Sequence, residues 1–136
     1  MNMMGTKINL LVIDDDDINI FIIKKIVEKT GYNVEMTAKT NGKLAIEYLK
    51  EKASFPDLIL IDINMPILNG WEFIEAYEEL ETDHKVDMYM LSSSVYENDI
   101  EKAKSYKTVK GFISKPLSID RLIELLKGIE QQKINL

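Results

Sequence analysis

Five times in 136 residues a short apolar run gives way to a longer amphipathic stretch, and this alternation restricts the fold more than any other feature. The runs Ile8–Ile13, Val34–Ala38, Leu58–Ile61, Val86–Leu91 and Val109–Ile113 have the length and composition of strands. Between them, apolar residues recur at spacings of three and four. Ile18, Phe21, Ile22 and Ile26 mark a first helix, with Asp17 as its expected N-cap, Lys24, Lys25 and Lys29 towards its end, and Gly31 closing it. Leu44, Ala45, Tyr48 and Leu49 mark a second, and Trp71–Leu80 forms a third. Asn98–Tyr106 forms a fourth that is poor in apolar residues, and Ile119, Leu122, Ile123, Leu126 and Ile129 mark a fifth. Strict strand–helix alternation predicts an α/β domain with a parallel sheet covered on both faces. The most apolar strands, the first and third, belong at the centre. Glu35 in the second and Lys110 in the fifth suit the edges.

Composition narrows the function. The length suits one domain, residues 1–136, with a core of about 7–130, and a stand-alone domain without an output domain is expected. Hydrophobic residues make up 46% and charged residues 29%, a globular balance. The chain has no cysteine and one histidine, His84, so thiolate sites are excluded and multi-histidine metal chemistry has no donors. A net charge of −6 argues against a nucleic-acid surface. No apolar stretch reaches the roughly 18 residues of a membrane span, and no signal peptide is evident, so a cytoplasmic location is expected.

In an open α/β sheet, ligands bind beyond the carboxyl ends of the strands. There the first strand delivers Asp14–Asp17 and the third delivers Asp62 followed by Asn64-Met-Pro66. The fourth delivers Ser92, Ser93 and Ser94, and the fifth delivers Lys115 before Pro116. Converging carboxylates repel one another until a cation binds. Oxygen donors without nitrogen or sulfur select a hard ion, and Mg²⁺ fits best. An ammonium and a hydroxyl beside such an ion suit a trigonal phosphoryl group, with Asp62 as its carboxylate nucleophile.

Asp14-Asp15, Asp62-Ile-Asn-Met-Pro with Gly70, Ser92 and Lys115-Pro116, in that order on five βα units, resemble the receiver domain of two-component response regulators. The likeness covers roughly residues 7–130. It implies a doubly wound, flavodoxin-like (βα)5 fold with strand order 2-1-3-4-5. It also implies a phosphorylation-controlled switch or relay rather than an enzyme. Asp62 resembles the phosphoacceptor and Asp15 the direct Mg²⁺ ligand, with Asp14 acting through a metal-bound water and Asn64 through its backbone carbonyl. Ser92 and Lys115 resemble the residues that bind the phosphoryl oxygens. Phe112 stands at the position of the switch aromatic, Asn64 and Ser94 at those that tune dephosphorylation. The Lys115–Pro116 bond is a candidate for cis. The family often has threonine where Ser92 stands; serine keeps the hydroxyl. Phe112 replaces a common tyrosine and donates no hydrogen bond, so packing alone would separate its inward and outward states. The implied partners are a histidine kinase or histidine phosphotransfer protein and an unidentified downstream protein, with the chain a monomer or weak dimer.

Plainer readings exist for each residue. Asp16, Asp17, Ser93 and Ser94 suit a turn, a cap and a polar loop, Trp71 and Tyr77 suit packing, and His84 a solvated loop without a role. A phosphate-independent interaction module of the same fold is the alternative function, and the set of converging charges argues against it. Four aspartates after the first strand would repel a flavin phosphate. A phosphatase would need an acid/base for turnover that the site lacks.

Overall fold

The computed structural model describes residues 5–51, 55–65, 68–80, 84–93 and 97–134. Ten elements alternate: β1 (Ile8–Ile13), α1 (Asp17–Thr30), β2 (Val34–Lys39), α2 (Gly42–Glu51), β3 (Leu58–Asp62), α3 (Gly70–Glu79), β4 (Asp87–Ser92), α4 (Glu97–Lys104), β5 (Val109–Ser114) and α5 (Ile119–Ile134). All strand pairs are parallel, and the order across the sheet is β2-β1-β3-β4-β5. The expected α/β class, central strands and edges are those observed.

Every residue of β3 is buried, because helices cover both faces of a central parallel strand. The period-2 alternation of side chains splits the core in two. Ile8, Leu10, Val12, Leu58 and Leu60 face α1 and α5, meeting Ile23, Val27, Leu122, Leu126 and Ile129. Leu11, Ile13, Ile59 and Ile61 face α2 and α3, meeting Ala45, Leu49, Phe73 and Ile74. The edges carry their charges outward: Glu35 pairs with Lys7, and Lys110 lies 3.5 Å from Asp87.

Two readings of α1 are corrected. Its N-cap is Asp16, whose carboxylate accepts from the Ile18 amide at 3.0 Å, and Asp17 is the first helical residue. Its buried face is Ile23 and Val27, with Ile20 and Ile26 packed beside them, whereas Ile18, Phe21 and Ile22 are exposed. The helix carries two apolar stripes, and spacing alone did not say which one meets the sheet. Leu44 on α2 is likewise exposed, and Ile46 is buried in its place. On α5, Leu125 is buried while Ile119 and Ile123 are half-buried. Gly31 closes α1 at φ 78°, a left-handed conformation that glycine adopts without penalty. α4 is the weakly anchored helix its composition predicts, with Ala103 its one buried residue.

Candidate functional site

Because all five strands are parallel, their carboxyl ends share one edge of the sheet. Asp14 follows β1, Asp62 and Ser92 end β3 and β4, and Lys115 follows β5. The backbone fixes these ends to one another. The Lys115 amide donates to the Ser92 carbonyl at 2.8 Å, and the Ile63 amide to that of Leu91 at 3.3 Å. The Lys115–Pro116 peptide bond is cis. Beyond Asp62 the chain folds back so closely that the Gly70 amide donates to the Ile63 carbonyl at 2.9 Å. A Cβ on Gly70 would lie 2.9 Å from the Asp62 carbonyl oxygen, so this return requires glycine. Asn69 and Glu72 then start α3 with a capping box.

Asp14 is fully buried, and both its oxygens are engaged. Oδ1 accepts from the Asp16 amide at 2.9 Å, Oδ2 from Asn19 Nδ2 at 2.7 Å, and Lys115 Nζ lies 3.0 Å from Oδ2. The same ammonium is 3.7 Å from Asp62 Oδ2, and it bridges the two carboxylates. Asp62 is 7% exposed, and its Oδ1 accepts a long contact of 3.4 Å from the Asn64 amide. Burial pushes the Asp62 carboxyl above its ordinary value. Lys115 opposes that shift, Asp14 adds to it, the Asn64 amide opposes it and Asp15 adds to it.

Asp15 is exposed at the mouth, and one carboxylate oxygen each of Asp14, Asp15 and Asp62 falls within a 4.8 Å cluster. Three carboxylates against one ammonium leave an excess of negative charge that a divalent cation would balance. The donors are all oxygen, which fits Mg²⁺. Since protein donors already occupy Asp14, the carboxylates open to a metal are those of Asp15 and Asp62.

Ser92 is buried at the end of β4, while Ser93 and the side chain of Asn64 are exposed. Phe112, paired in register with Met90, is half-buried against the α3-side core. Pro66 and Ser94 lie outside the described residues. Asn19 is a member of the cluster that sequence reasoning missed. Its position five residues after Asp14 reaches back only once the phase of α1 is known. His84, expected in a solvated loop, is exposed yet shares a hydrogen bond of 3.0 Å with the Pro56 carbonyl. Tyr77 is buried against Phe73, and burial pushes its hydroxyl up to about 12.

The sequence model of the response regulator receiver domain family matches residues 10–127. The chain belongs to that family. This receiver is similar to a crystal structure of a two-component response regulator from Cytophaga hutchinsonii, at 37% identity and a TM-score of 0.83, over 91% of this chain and 98% of that one. It is 26% identical to the polar-differentiation response regulator DivK of Brucella anthropi, over 88% of this chain and 94% of DivK. It is 27% identical to the 3',5'-cyclic-nucleotide phosphodiesterase regA of Dictyostelium discoideum over 94% of this chain, but spans only 16% of that protein. Among the described residues no helix is long and apolar enough to cross a membrane.

Proposed function

We propose that the receiver takes a phosphoryl group onto Asp62 from a phosphohistidine of a kinase or phosphotransfer protein, and that it acts as a switch or relay rather than turning over a substrate. The observation that carries this reading is the Lys115 ammonium, 3.0 Å from Asp14 and 3.7 Å from Asp62 at the carboxyl edge of the sheet. Asp62 is the buried carboxylate at the end of the central strand, and the exposed Asp15 lies beside it. Its oxygen attacks phosphorus, the P–N bond of the donor breaks, and the electron pair returns to the imidazole nitrogen. Positioning and charge neutralisation dominate such a transfer. Lys115 neutralises oxygens of the incoming group, and the Ser92 hydroxyl donates a hydrogen bond to another. Asp15, Asp62 and the Asn64 carbonyl would hold Mg²⁺, with Asp14 acting through a bound water, and the ion supplies further charge neutralisation. Asn64 and Ser94 tune later attack by water.

Incubation with acetyl phosphate and Mg²⁺ tests the assignment. The protein gains one acid-stable, base-labile phosphoryl group, and Asp62→Asn gains none, because an amide is not a competent nucleophile. A mutant that labels as the parent does would place the acceptor elsewhere. A parent that never labels would favour a phosphate-independent interaction module.

A further inference from the structure

α4 has almost no core of its own, and Ala103 alone is buried. Its C-terminal end is instead tied to α3 by side chains on one stripe of that helix, Trp71, Glu75 and Glu78. The Tyr106 ring stacks on the Trp71 indole with centroids 6.1 Å apart and planes 23° from parallel. The Lys102 ammonium lies over the same indole, 4.8 Å from its centroid. The Tyr106 hydroxyl donates to Glu75 Oε2 at 2.8 Å, and Thr108 Oγ1 donates to Glu78 Oε2 at 2.8 Å. The two sides are complementary: α3 offers an aromatic face and two carboxylates, while α4 and the connection to β5 offer a cation, an aromatic ring and two hydroxyls.

The two partners differ in rigidity. α3 is held by buried Phe73, Ile74 and Tyr77. α4 has one buried methyl and otherwise leans on β5, so these contacts add to a weak hold on the helix. Cation–π and hydrogen-bond contacts at exposed positions are individually weak. Together they give α4 a discrete seat that it can leave without disturbing the core.

We propose that the Trp71–Glu75–Glu78 stripe is a latch that holds α4 in its resting seat and sets how readily α4 moves when Asp62 is phosphorylated. The second half of this statement rests on the phosphoacceptor reading above. Contacts made only in the resting state oppose the active one, so loosening them raises apparent affinity for whatever favours the active state.

Lys102→Met keeps the aliphatic stem and removes the charge. Tyr106→Phe keeps the ring and removes the hydroxyl. Both are mild enough to fold, and Trp71, the single tryptophan, stays as the reporter. In the double variant without ligand, amides of α4 exchange with deuterium about 3- to 10-fold faster than in the parent, while those of α1 and α5 are unchanged. Beryllofluoride with Mg²⁺ stands in for the phosphoryl group. Its half-saturating concentration, read from Trp71 fluorescence or α4 exchange, falls by about 3-fold or more. Parental exchange rates in α4, or an unchanged half-saturation beside faster exchange, would overturn the latch. A parent protein that binds no beryllofluoride would count against Asp62 as acceptor, and α4 exchange in the unliganded protein would then decide the latch by itself.

Discussion

Asp62 meets two opposing demands. As the proposed phosphoacceptor it has to be ionised, and as the last residue of a central strand it is buried, which disfavours its charge. The raised pKa has burial as its largest cause, and Lys115 is the chief opposing influence. The sign of the stability effect follows. A carboxyl with a folded pKa above its ordinary 3.8 costs stability. That cost builds as pH rises from 3.8 through the raised value and is complete above it. Asp62→Asn removes the cost, so the mutant melts at a higher temperature than the parent at pH 7. The difference shrinks on acidification and vanishes below pH 3.8, which thermal denaturation across pH would show. A mutant less stable than the parent at neutral pH would mean that the bridge through Lys115 outweighs burial. Ser92 acts differently at the same scale, since in the proposed function its hydroxyl binds the phosphoryl group and takes no part as nucleophile. Ser92→Ala therefore still accepts phosphate from acetyl phosphate but shows a smaller change in α4 exchange on phosphorylation.

Among the elements, α1 shows where sequence and structure part. Asp14, Asp62, Ser92 and Lys115 were legible because a parallel sheet delivers strand ends to one edge whatever the helix phases. Asn19 was not legible, and neither was the buried stripe, because both depend on how α1 is rotated about its axis. Ile18, Phe21 and Ile22 have the same spacing as a core stripe and lie outside the core, at 71%, 58% and 41% exposure. The cap moved by one residue because four consecutive aspartates offer equivalent side chains, and only backbone geometry selects Asp16. The energetic contrast is large. Ile23→Ala removes a fully buried side chain and costs about 2–4 kcal/mol in denaturant unfolding. Phe21→Ser on the exposed stripe changes stability by about 0.5 kcal/mol or less. Similar losses at the two positions would contradict the observed phase of α1.

The whole molecule separates a rigid part from a loose one. β1 and β3, packed on both faces, fix Asp14 and Asp62, while Ser92, Lys115 and α4 sit on the side of the sheet that ends in β5. The central and edge strands could be reasoned from apolar content and edge charges, the full strand order came only with the family resemblance, and the carboxyl-edge cluster followed from the parallel sheet. The tie between Trp71 and Tyr106 could not, because no local pattern brings together residues that far apart in sequence. In the proposed switch, the acceptor geometry stays constant while the one weakly anchored helix moves. The central claim is that Asp62, and no other carboxylate of the crowded edge, carries the phosphoryl group. Borohydride reduces an aspartyl phosphate to homoserine, so the protein is treated with acetyl phosphate and Mg²⁺, reduced, digested and sequenced by mass spectrometry. The account predicts homoserine at Asp62 alone. Homoserine at Asp14, Asp15, Asp16 or Asp17, with Asp62 unchanged, would contradict it.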